Sequence, residues 1–111
     1  MPHLIIEYAR DLDPPITKTL QALHQTLSAS KLFDEADIKI RAQPYTEYLV
    51  GGHKANRFVH LTVLLLDGRS DAVKSHLGKA LRETVKQNLG SIDNAQITVE
   101  VRDMERATYI K

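Results

Sequence analysis

Phe58-Val59-His60-Leu61-Thr62-Val63-Leu64-Leu65-Leu66-Asp67-Gly68-Arg69-Ser70 is the stretch on which the fold turns. Its first nine residues are aliphatic or β-branched almost throughout, which predicts a strand covered on both faces. The longest apolar run, Leu61 to Leu66 with Thr62 inside it, is far short of the roughly 20 residues a membrane helix needs. Asp67-Gly68-Arg69 then turns the chain. Ser70 reads as an N-cap, Asp71 complements the helix dipole, and Val73, Leu77, Leu81 and Val85 mark one stripe of a helix closed by Gly90. Ile97 to Arg102 alternates as a further strand, and Met104 to Lys111 is too short to assign.

The same order stands upstream. His3 to Tyr8 alternates as a strand and stops at Asp11-Leu12-Asp13-Pro14-Pro15, because proline cannot extend a ladder. Asp13 reads as an N-cap with Pro14 at the first helical position, and Ile16, Leu20, Leu23 and Leu27 form the buried stripe. Ile38 to Gln43 alternates strictly, so Ile38, Ile40 and Ala42 share one face and Lys39, Arg41 and Gln43 the other. Two cations therefore stand together away from the core. Pro44 ends clean pairing or marks an edge, Tyr45 to Val50 offers an extension of the strand, and Gly51-Gly52 turns.

The halves correspond. His3-Leu4-Ile5-Ile6 aligns with His60-Leu61-Thr62-Val63, Leu20 with Leu77, and Ile38-Lys39-Ile40 with Ile97-Thr98-Val99, at an offset drifting from about 57 to 59 residues. The expected fold is α/β (α+β): a duplicated β-α-β unit of four main strands with two helices packed on one face. It forms a single domain over 1–111, with pseudo-repeats over about 1–52 and 57–111. Duplication predicts parallel pairs within each half, whereas a ferredoxin-like sheet of the same element order is antiparallel.

Composition narrows the function. Across 111 residues, 15 Lys and Arg against 14 Asp and Glu leave a net charge of +1, with 42% hydrophobic and 5% aromatic residues. So small a charge, no Trp, and only Phe58 in a strand that RNA binding would want rich in aromatics argue against nucleic acid as a partner. The absence of cysteine excludes disulfides and thiolate chemistry. The amino-terminal residues lack a cationic region and reach Glu7 after a short apolar run, so no signal peptide is expected and the cytoplasm is the default location. His3, His24, His53, His60 and His76 lack metal-ligand spacing; His3 and His60 read as equivalent structural positions. Tyr45 and Tyr48 read as cover for a subunit contact, with the lining of a pocket near the cationic face as the alternative.

In the repeat, Pro2 corresponds to Val59, and only Pro2 can become a chain terminus. Methionine is removed before small second residues, which would leave Pro2 as a free secondary amine. An α-amino group titrates near 7.7–8.0, and burial or adjacent cations lower that value, making a neutral base available at pH 7.

Leu65-Leu66-Asp67-Gly68-Arg69-Ser70-Asp71 resembles the turn and helix start of 4-oxalocrotonate tautomerases, displaced into the second half. Over nearly the whole chain the sequence resembles the 5-carboxymethyl-2-hydroxymuconate isomerases of the tautomerase superfamily. The likeness is carried by Met1 to Tyr8, Phe58-Val59-His60-Leu61-Thr62 and Gly68-Arg69-Ser70. It implies a cytoplasmic, cofactor-independent isomerase of aromatic-compound catabolism, built as a homotrimer and acting on a small-molecule dicarboxylate. It also implies that Pro2 carries the proton and that Arg69 clamps a carboxylate. The family's strand-two arginine falls on Lys39, and Arg41, on the same face, could compensate. Relatives run on beyond the Tyr-containing end, whereas this sequence stops two residues after Tyr109; a shorter tail would alter subunit contacts. The alternative is a non-catalytic trimeric member of the superfamily acting as a ligand-binding or interaction module.

Overall fold

The alternating and helical periodicities become four strands and two helices in a computed structural model that describes residues 1–12, 14–89 and 94–111. β1 spans His3–Ala9, α1 Thr17–Ala29, β2 Lys39–Tyr45, β3 Arg57–Leu66, α2 Asp71–Leu89 and β4 Ala95–Met104. The sheet order is β2-β1-β3-β4. β1 runs parallel to β2 and β3 parallel to β4, as a duplicated unit requires, while β1 and β3 meet antiparallel at the centre. Their register sets Ile5 opposite Thr62. Those two residues are also matched by the sequence offset, so the halves meet about a local two-fold at that pair.

Both helices lie on one face. Leu4 and Ile6 of β1 and Val59, Leu61, Val63 and Leu65 of β3 pack beneath Leu23 and Leu27 of α1 and Leu77, Leu81, Val85 and Leu89 of α2. Period-2 and period-3.6 patterns thus converge on one apolar layer. β3 departs from expectation on its other face. Phe58, His60, Leu64 and Leu66 are only half-buried there, since among the described residues no second layer covers that face.

α1 begins at Thr17, after Ile16, rather than at Pro14. The ring of Pro15 disfavours helical geometry at the residue before it, so the helix starts beyond both prolines. The Asp13 cap and the closing Gly90 lie outside the described residues. The Ser70 cap is present, its Oγ accepting from the Val73 N–H at 3.2 Å. Val73 itself is exposed, and Leu89 completes the α2 stripe instead. Pro44 lies within β2, tolerated because β2 is an edge strand. Beyond Tyr45 the extension amounts to an isolated Val50–His53 bridge.

Candidate functional site

The parallel β1–β2 pair brings the amino terminus beside the predicted cations. His3 is in register with Lys39, and the Lys39 N–H donates to the Pro2 carbonyl at 3.1 Å, with Pro2 buried. The Met1 amino group donates to the Asp37 carbonyl at 2.8 Å, and Lys39 Nζ donates to the same oxygen at 2.9 Å. Two cationic donors therefore share one acceptor. Burial holds the terminal amine below its ordinary value, and contact with Lys39, its charge and that of Lys111 act in the same direction against the opposing pull of Asp37. An amine in this corner sheds its proton more readily than one in water.

Arg41 lies on the same open face, one pleat farther along β2, and its guanidinium donates to His3 Nδ1 at 3.1 Å. The other ring nitrogen, Nε2, is 2.8 Å from the Tyr109 hydroxyl, and the two rings meet edge to face. The tail arrives there because Arg106 fixes it to the β3–α2 turn, donating from Nε to the Asp67 carboxylate at 2.8 Å and from Nη2 to the Asp67 carbonyl at 2.7 Å.

Arg69 also sits at this end of the sheet, since β3 runs antiparallel to β1 and ends beside its start. Gly68 supplies the turn with φ +116°, a region side chains rarely enter. Arg69 does not join the Lys39–Arg41 group, however. It donates to the carbonyls of Leu32 at 2.7 Å and Leu66 at 3.3 Å and lies 5.1 Å over the Phe33 ring. Two of its five N–H groups are thus committed, one to the α1–β2 connection that also carries Asp37 and one to the end of β3.

The sequence model of 5-carboxymethyl-2-hydroxymuconate isomerase matches residues 2–111. The chain belongs to that family. A solved 5-carboxymethyl-2-hydroxymuconate isomerase from Deinococcus radiodurans R1 is 30% identical with a TM-score of 0.87, covering 99% of this chain and 87% of its own. A 5-carboxymethyl-2-hydroxymuconate delta-isomerase shares 19% identity with a TM-score of 0.84, over 100% and 87% of the two chains. A fused 4-OT symmetric trimer shares 23% identity with a TM-score of 0.79, over 95% and 87%, and adds evidence for the fold alone. No curated protein sequence matches this chain. Family membership supports an isomerase or tautomerase role.

Other candidates fall elsewhere. Tyr45 and Tyr48 lie at or beyond the far end of β2, where Tyr45 donates to Glu7, Tyr48 donates to Asp11 at 2.6 Å, and both pack on Phe58, so neither lines the cationic corner. A groove of about 770 Å³ runs between α1 and α2 and contains none of the predicted site residues. Among the described residues no group of three metal-ligating side chains forms, and no helix is long and apolar enough to cross a membrane. Tyr109 and the polar partners of His3 are not visible in the sequence pattern. The signal for both was weak: a tail too short for periodicity, and a histidine whose partners lie 38 and 106 positions away.

Proposed function

We propose that this family member is a cofactor-independent isomerase of a small unsaturated hydroxy- or oxo-dicarboxylate resembling 5-carboxymethyl-2-hydroxymuconate, with Pro2 as the proton carrier once Met1 is removed. The neutral Pro2 nitrogen takes the enol O–H proton, the oxygen–hydrogen pair becomes the carbonyl π bond, and the double bonds shift. The resulting secondary ammonium returns the proton to carbon, leaving nitrogen neutral. Lys39 and Arg41 hold one carboxylate, and Arg69 contributes its uncommitted N–H groups to the other. The reading is supported above all by Lys39 and Arg41 standing on one face beside the buried start of β1.

The working form is a cytoplasmic homotrimer. The half-buried Ile5 and Leu64 on the uncovered sheet face support assembly, as do the trimers formed by the fused 4-OT relatives.

Intact mass of untagged protein tests the carrier first, with loss of the Met1 mass expected; wholly retained Met1 overturns it. Absorbance of a 2-hydroxymuconate-type dienol should then change on adding enzyme, and Pro2→Ala should slow the change by roughly 10²–10⁴-fold. No change with the unmodified protein leaves the non-catalytic reading.

A further inference from the structure

The contacts around His3 determine where its protons are. A guanidinium is donor-only, so the Arg41 contact at 3.1 Å requires Nδ1 to be the acceptor. A neutral imidazole with a bare Nδ1 carries its hydrogen on Nε2, which therefore donates to the Tyr109 oxygen 2.8 Å away. The phenol hydrogen cannot also point at His3. Among the described residues His3 is the only hydrogen-bond partner of that hydroxyl, so its own proton is available to an acceptor outside the chain. The charges acting on its partner His3 favour an anion: Arg41 and Lys39 from β2 and the amino terminus, on which Lys111, two positions along the tail, also acts against the opposing carboxylate of Asp37.

We propose that Tyr109 is a further substrate-binding residue, whose hydroxyl, oriented by His3 in the Nε2–H form that Arg41 imposes, donates a hydrogen bond to a carboxylate oxygen of the bound dicarboxylate. This rests on the dicarboxylate reading of the site but not on proton transfer by Pro2. Arg41 gains a second role, since it fixes the histidine tautomer as well as offering its remaining N–H groups to the ligand. His3 is a positioning residue.

The arrangement is pH-gated. A second proton on His3 would turn Nδ1 into a donor facing a donor and break the relay at Arg41. Among the described residues the charged groups acting on the ring are cationic, namely Arg41, Lys39 and the amino terminus. Tyr109 faces it from the tail, and β3 sets the non-titrating Leu64 opposite. Burial and these cations hold the imidazole below its ordinary value, so the relay is intact at neutral pH and fails on acidification.

The test uses trans,trans-muconate, a dicarboxylate with no enol proton to transfer, titrated calorimetrically into the full-length protein. Tyr109→Phe keeps the ring and should weaken binding about tenfold, the loss of one hydrogen bond to a charged group. His3→Leu should match it. His3→Gln keeps an N–H for the phenol and an oxygen for Arg41, so it should restore affinity and abolish the fall in binding seen with the unmodified protein below neutral pH. Nitrogen-15 shifts of His3 should report the Nε2–H form, a reading that no variant can confound. Unchanged affinity in Tyr109→Phe, an Nδ1–H tautomer, or no muconate binding by the unmodified protein would each overturn the proposal. Muconate binding without dienol turnover would instead sink the Pro2 mechanism and leave Tyr109 in place.

Discussion

The hydroxyls of Thr26 and Thr84 meet 2.6 Å apart at the α1–α2 contact, and each also lies within hydrogen-bond reach of the carbonyl four residues back in its own helix, Ala22 at 3.1 Å and Ala80 at 2.9 Å. Two protons cannot serve all three contacts at once. One hydroxyl donates across to the other, which donates to its own carbonyl, and the hydrogens can exchange roles. The residues are equivalents in the repeat, separated by an offset within the range that aligns the strands, so the local two-fold through Ile5 and Thr62 also passes between the helices.

Thr26→Val and Thr84→Val keep the side-chain shape and remove one hydroxyl each. Either alone should lower stability by about 1 kcal/mol, read as a fall of several degrees in Tm. The double variant should lose less than the two losses combined, because the second substitution removes a hydroxyl that the first left without its partner. Strict additivity in urea unfolding would show that the interhelical bond is not made in solution.

Arg69→Ala should be costly to the fold as well as to ligand binding. It frees the carbonyls of Leu32 and Leu66 and removes a cation from the Phe33 face, a loss of about 2 kcal/mol. Arg69→Lys should recover little, since a single ammonium cannot span both carbonyls. A rise in dicarboxylate KM at unchanged urea midpoint would assign Arg69 to the ligand alone.

Acid should destabilise the protein through His3. Its folded value lies below the ordinary 6.5, by burial first and then Arg41, Lys39 and the amino terminus, so the unfolded chain takes the proton more readily than the folded one. This group's contribution is complete above about pH 6.5 and is lost as the pH falls through the lowered folded value. Urea unfolding between pH 7.5 and 5 should therefore show declining stability, and Arg41→Met should flatten the decline by relieving one cause of the shift. Besides burial, Lys39 lowers the value of the Met1 amine here, and the same charge acting on the Pro2 nitrogen once Met1 is removed predicts that Lys39→Met moves the acid limb of kcat/KM to higher pH. An unmoved limb would place Lys39 too far from the working nitrogen to influence it.

Strand and helix positions were legible because burial imposes a period. Leu23 and Leu27, or Leu77, Leu81 and Val85, recur at helical spacing only if one stripe is hidden, and Lys39 and Arg41 alternate with Ile40 only if one face of β2 is not. The repeat offset carried the parallel pairings too, and with them the placing of both cations beside Pro2. The start of α1 falls beyond the expected Pro14 because the backbone restriction of Pro15 on Pro14 outweighs the preference of proline for a first helical turn. Tertiary structure alone decided the partners. Arg69 turned toward two carbonyls, and Tyr109 reached His3 across nearly the whole chain. Periodicity records which side of an element is dry; hydrogen bonds between segments far apart in sequence depend on how the tail and connections are laid over the end of the sheet, and no local pattern encodes that.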